Sequence, residues 1–134
     1  MSFILDTNVI SAVRRAGRAP NVAAWLETQA EPDLFLSVIT LGEIERGITL
    51  RAGSEPAFAH DLRLWLERTI TLFADRVLDF TARDSVEWGR LSARIGHPGA
   101  DLMIAAQALT RDMTVVTGNK ADFAPTGARL LDPF

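Results

Sequence analysis

The feature that most constrains this chain is a succession of short, unalternating apolar runs separated by stretches with helical spacing. Phe3-Ile4-Leu5, Leu34-Phe35-Leu36, Val77-Leu78 and Thr114-Val115-Val116-Thr117 read as strands, and residues 128–131 read as a weaker fifth. Strands without apolar/polar alternation are buried on both faces, as in a parallel sheet covered by helices. The intervening stretches carry apolar stripes at helical spacing: Val22, Trp25 and Leu26; Leu62, Trp65, Leu66 and Phe73; Trp88, Leu91 and Ile95; Leu102, Ala105, Ala106 and Leu109. Strands alternating with helices predict an α/β fold, with helices on both faces of a mainly parallel sheet. In such sheets ligands sit beyond the carboxyl ends of the strands.

The chain has 134 residues, is 48% hydrophobic and shows no internal repeat or long linker, so it is read as one domain over residues 1–134. It has no cysteine, which excludes disulfides and thiolate metal sites, and only two histidines, His60 and His97, which argues against a multi-histidine metal site. No leader-like segment or membrane-length apolar run is visible, so a cytoplasmic location is the expectation. The net charge is −3. That does not suggest a polyanion binder, but thirteen of the fourteen basic residues are arginine, the better phosphate ligand. Acids that converge on divalent cations would also make whole-chain charge misleading.

The candidate acids lie just after the predicted strands. Asp6 follows the first and precedes a helix start, where an aspartate also serves as an N-cap. Glu43 stands in Thr40-Leu41-Gly42-Glu43, a pattern that reads equally as a capping box. Asp101 opens a helix after the turn-rich Gly96-His97-Pro98-Gly99-Ala100, where its charge favours the helix dipole. Asn119 and Asp122 come after the strand ending at Thr117, where Asn119 also suits a turn cap. Each residue has a sufficient structural role alone. Together they put carboxylates on one rim of the sheet, which must be protonated, dispersed or bridged by cations. Hard, oxygen-liganded Mg²⁺ or Mn²⁺ is the natural bridge, and such an ion can activate water against a phosphodiester.

These residues resemble the motifs of the PIN-domain ribonucleases. Leu5-Asp6-Thr7-Asn8-Val9-Ile10-Ser11 looks like that family's opening, and Thr40-Leu41-Gly42-Glu43-Ile44 like its second motif. Ala100-Asp101-Leu102-Met103-Ile104-Ala105-Ala106 is similar to the third, and Val116-Thr117-Gly118-Asn119-Lys120-Ala121-Asp122-Phe123 to the fourth. The four run in order along essentially the whole chain, most like the VapC and FitB-like toxins of toxin–antitoxin modules. The resemblance implies a three-layer α/β/α domain, Mg²⁺- or Mn²⁺-dependent endoribonuclease activity on RNA, homodimerisation and a small antitoxin partner that blocks the site. It makes Asp6, Glu43 and Asp101 the acidic metal-site residues, with Asn8 orienting Asp6 or a metal-bound water and Thr117 bonding a carboxylate or water. The fourth motif often carries aspartate where this chain has Asn119. An amide coordinates without charge, so Asp122 is expected to supply it, with one cation bound tightly and a second more weakly.

Arg14, Arg15 and Arg18, placed at the end of the first helix, and Arg46, one turn from Glu43, are candidate RNA-phosphate contacts as much as solvated charge. No aromatic residue interleaves with the basic ones, so no base-stacking platform is visible. His97 reads as a loop residue. The tryptophans and the stripe at residues 61–73 read as core or interface. Competing functions are a PIN nuclease of ordinary RNA processing, a phosphoacceptor receiver, a haloacid-type phosphatase or a degenerate acidic binding module. A receiver needs paired acids after its first strand, where Asp6 stands alone. The phosphatase needs an acid where Asn8 stands.

Overall fold

A computed structural model describes all 134 residues, Met1–Phe134. Five strands, β1 (Phe3–Leu5), β2 (Leu34–Ser37), β3 (Val77–Leu78), β4 (Thr114–Val116) and β5 (Arg129–Leu131), pair in parallel in the order β3-β2-β1-β4-β5. The expected strands and the parallel α/β sheet are all present. The chain builds outward from β1 to β3, then returns to the other side of β1 with β4. The order therefore reverses between β1 and β4, where strand ends splay open and ligands bind in sheets of this kind.

Strand alternation sorts the core into two layers. Phe3, Leu5, Leu34, Leu36 and Val116 share one face with Val9 and Ile10 of α1 (Thr7–Ala12), Val22 of α2 (Pro20–Glu27) and Phe73 of α4 (Pro56–Phe73). Ile4 and Val115 share the other with Leu91 of α5 (Ala82–Ile95), with Ile104, Ala105 and Ala108 of α6 (Ala100–Arg111), and with Phe123 of α7 (Lys120–Phe123). A smaller cluster of Ile44, Ile48, Ala59 and Leu66 packs α3 (Val38–Arg51) on α4. The molecule is thus a three-layer α/β/α sandwich. No helix is long and apolar enough to cross a membrane.

Two local expectations change. Thr40 and Glu43 do not form a capping box: α3 starts as soon as β2 ends, and Ser37 is its N-cap, accepting the Ile39 N–H at 2.9 Å. That shifts Thr40 into the buried first turns and puts Glu43 further along the helix. The capping box of this fold is Thr81 with Asp84, at the start of α5. Likewise α1 stops at Ala12, so Arg14, Arg15 and Arg18 lie in the loop beyond the helix rather than on it.

Buried polar groups lock the layers. Gln107, fully buried on α6, accepts from the Ser37 hydroxyl and donates to the Leu78 and Asp79 carbonyls. It satisfies itself across β2 and the exit of β3, as a buried amide must.

Candidate active site

Asp6 lies at the switch point. Its backbone N–H donates to the Val116 carbonyl at 2.9 Å, so the β1–β4 ladder runs up to the carboxylate. The side chain is only 4% exposed. Its Oδ1 accepts the Thr7 N–H at 2.8 Å, capping α1, and its Oδ2 accepts the Thr117 hydroxyl at 2.8 Å. The Thr117 oxygen in turn accepts the Asn119 N–H at 2.9 Å. Burial pushes the Asp6 carboxyl up to about 6; the Thr117 and Thr7 hydrogen bonds oppose the rise, and the charges of Asp101 and Glu43 add to it.

The other acids reach the same rim by different routes. Glu43 projects from α3 and accepts the Thr7 hydroxyl at 2.7 Å. The Thr7 oxygen also stands 3.1 Å from that of Thr40. One hydroxyl carries one proton, so Thr7 gives its proton to the carboxylate and Thr40 donates to Thr7. Asp101 arrives because α6 feeds directly into β4 and so runs antiparallel to the sheet, which puts its first turn at the strands' carboxyl ends. Burial, then the Asp122 and Glu43 charges, raise the Asp101 pKa, against a smaller opposing effect of His97. Asp122 is exposed on α7. Asp6, Glu43 and Asp101 are therefore within electrostatic reach of one another, Asp122 is within reach of Asp101, and none of the four forms an ion pair with arginine or lysine. The set offers only oxygen donors, which suits a hard divalent cation. No three of the acids converge tightly enough to form a ready-made ion cage.

The remaining sequence candidates divide. Asn8 turns to the β4 exit, where its Oδ1 accepts the Gly118 N–H at a long 3.5 Å, and makes no bond to Asp6. Asn119 is exposed at the start of α7 and does not cap it through its side chain. Gly118 between them lets Phe134 pack close: a Cβ there would lie 2.9 Å from the Phe134 ring, which would have to shift. Arg14, Arg15 and Arg18 line a hollow of about 500 Å³ with Asn21 and Phe134. Arg46 is exposed on α3. His97 stays in its loop, where Nδ1 accepts the Gly99 N–H at 3.2 Å. Thr7 is the contributor that the sequence reading passed over. It stands in the opening motif between two residues singled out there, but nothing local says that its hydroxyl reaches a glutamate 36 positions away.

Comparison with known proteins bears on the family and the fold. The PIN domain model matches residues 3–127. Ribonuclease VapC14 of Mycobacterium tuberculosis is 43% identical over 67 residues, covering 50% of this chain and 65% of that protein. Toxin FitB of Neisseria gonorrhoeae is 31% identical over 139 residues, covering 98% of each chain. The solved structure of FitAB bound to an IR36 DNA fragment superposes with a TM-score of 0.82 at 31% identity, covering 98% of this chain and 94% of that one. With the family model and a relative both matched along nearly its whole length, and with acids gathered at the β1–β4 switch point, this chain belongs to the PIN domain family.

Proposed function

We propose that this protein is a VapC-type toxin: an endoribonuclease that hydrolyses RNA phosphodiester bonds and is held in check by a small antitoxin bound at the same rim. The ribonuclease and toxin names of its relatives support that reading, and so does the likeness in fold to FitAB and to VapBC from Salmonella typhimurium. Homodimerisation belongs to the same reading.

The observation that carries the chemistry is the buried Asp6 carboxylate, held by Thr7 and Thr117 and surrounded by other acids with no basic partner. Asp6, Glu43 and Asp101 would hold Mg²⁺ or Mn²⁺, with Asp122 supplying further negative charge and Asn119 a neutral oxygen. Bound there, the ion supplies an acidified water and stabilises the charge that builds on the phosphodiester. The protein's own part is orientation. Thr117 and the Thr7 amide fix both Asp6 oxygens, and the Thr7 hydroxyl turns Glu43 toward them. Asp6 must lose its proton to hold a cation, and without the ion its carboxyl stands at about 6, so metal binding should weaken as pH falls through the acid range.

The test is incubation of the purified, antitoxin-free protein with total bacterial RNA in Mn²⁺ or Mg²⁺ and in EDTA, beside Asp6→Asn. Discrete fragments that need the metal and vanish in the variant are expected. If wild type and variant leave RNA equally intact with every cation, the site is a degenerate acidic module and the nuclease reading fails.

A further inference from the structure

Beside the acids, a cleft of about 300 Å³ runs from Thr7 and Glu43 along α3 to Arg14, Arg51 and Phe58. Its two ends carry opposite charge. At the far end the Arg14 and Arg51 guanidinium carbons stand 5.3 and 5.5 Å from the centre of the Phe58 ring, both within cation–π range. A guanidinium held through its flat face keeps its N–H edges free, and those edges are what grip a phosphate in two-point fashion. Arg14 has no acidic partner; Arg51 meets Glu55 at 3.6 Å, an exposed pair one helical turn away, and its Nη1 reaches the Gly47 carbonyl at a long 3.5 Å. Such pairs are weak and readily exchanged for a better anion. Gly47 lines the cleft and leaves room for Arg51 to fold back: a Cβ there would meet its Nη1 at 3.3 Å.

We propose that this cleft is a nucleotide subsite for the RNA strand next to the scissile bond, with the Arg14 and Arg51 edges on its phosphate and Phe58 holding both guanidinium groups in place. The inference rests on the nuclease reading above. Charge placement selects this occupant. A strand whose reacting phosphate lies at the acids must continue past them, and this cleft opens directly from Glu43 and ends at Arg14, which has no acidic partner, and Arg51, which has only the weak Glu55 pair. Its volume is at the lower end for a small-ligand pocket, enough for one nucleotide and not for a folded segment. Arg14 also lines the neighbouring hollow with Arg15 and Arg18, so the positive surface continues beyond the cleft.

The test uses the full chain carrying Asp6→Asn, so that binding is read without cleavage, with a short mixed-sequence single-stranded RNA followed by fluorescence anisotropy in EDTA. Adding Arg14→Ala or Arg51→Ala is expected to weaken binding about tenfold and to lower the log–log salt slope by about one. Gly47→Ala, which crowds Arg51, is expected to fall between, and Arg90→Ala on distant α5 to change neither quantity. If wild type cleaves RNA while both arginine variants bind as tightly as their parent, the subsite assignment is wrong and the nuclease stands. If wild type cuts nothing and the Asp6→Asn parent binds no RNA, the nuclease reading has failed and this one with it. Arginine dependence toward an oligoglutamate peptide but not toward RNA overturns the proposal in favour of an acidic protein partner.

Discussion

Asp6 and Asp84 are both buried aspartates at helix starts, yet they ionise at opposite ends of the carboxylate range. Asp84 is fully buried, and burial alone would raise its pKa. Arg111 at 2.8 Å, the Thr110 hydroxyl at 2.6 Å and the Thr81 N–H at 2.8 Å outweigh that and hold it at about 2. Asp6 accepts two neutral hydrogen bonds and faces only other acids, and stands at about 6. One carboxylate is satisfied by the protein that buries it. The other is left wanting a cation, which is how a structural acid and a site acid differ when both are buried in the first turn or cap of a helix. Their linkage to stability has opposite sign. The Asp84 contribution is present above pH 3.8 and lost as pH falls through about 2; the Asp6 contribution is present below 3.8 and lost as pH rises through about 6.

The largest expected difference between the two is in activity. Asp6→Asn and Asp101→Ala should abolish metal-dependent cleavage, since losing several kcal/mol of transition-state stabilisation is about three orders of magnitude in rate. Asp84→Asn should cut RNA at the wild-type rate per folded molecule. A fast Asp6 variant, measured in single turnover, breaks the comparison at its root. Next comes stability: Asp84→Asn leaves Arg111 without its partner and breaks the α5 capping box, and should cost about 3 kcal/mol in urea unfolding at pH 7. A neutral result would mean that the α5–α6 pair is held by packing alone.

Asp6→Asn should do the reverse, gaining about 2 kcal/mol over wild type at pH 8, with the gain shrinking through the window from pH 6 to 3.8 as the wild-type carboxyl protonates. At pH 8, Mn²⁺ should raise the melting temperature of wild type and not of that variant; equal shifts would remove Asp6 from the metal site. The smallest effect is reserved for Asn119→Ala, which loses a neutral oxygen and no charge: cleavage should fall by about tenfold at most, since removing a single supporting ligand contact costs of that order. An inactive variant would show that this corner depends on the amide and not on Asp122.

Much of the architecture is legible along the chain because both its signals are local. A run such as Val115-Val116 is apolar on both faces, and Leu102, Ala105 and Ala106 fall on one helical stripe, whatever lies elsewhere. Asp6, Glu43 and Asp101 are legible as a set only through their placement after strands and their motif resemblance. Helix starts were less secure. Thr40-x-x-Glu43 has the form of a capping box, but the strand-to-helix junction comes three residues earlier and Ser37 caps instead. Thr81-x-x-Asp84 has the same form ahead of the Trp88, Leu91 and Ile95 stripe, and there the box does form.

By itself, then, the sequence determined the order and type of elements, the parallel sheet and the identity of the acids, because hydrophobic period and strand-end position need only neighbours in the chain. Tertiary structure alone decided which aspartate meets an arginine and which meets other acids, that Thr7 bridges Asp6 and Glu43, and that Arg14, Arg51 and Phe58 gather at one end of a cleft. A side chain's charge is written in its residue type, but its ionisation and its partners depend on groups far away in the chain that only packing brings within a few ångströms.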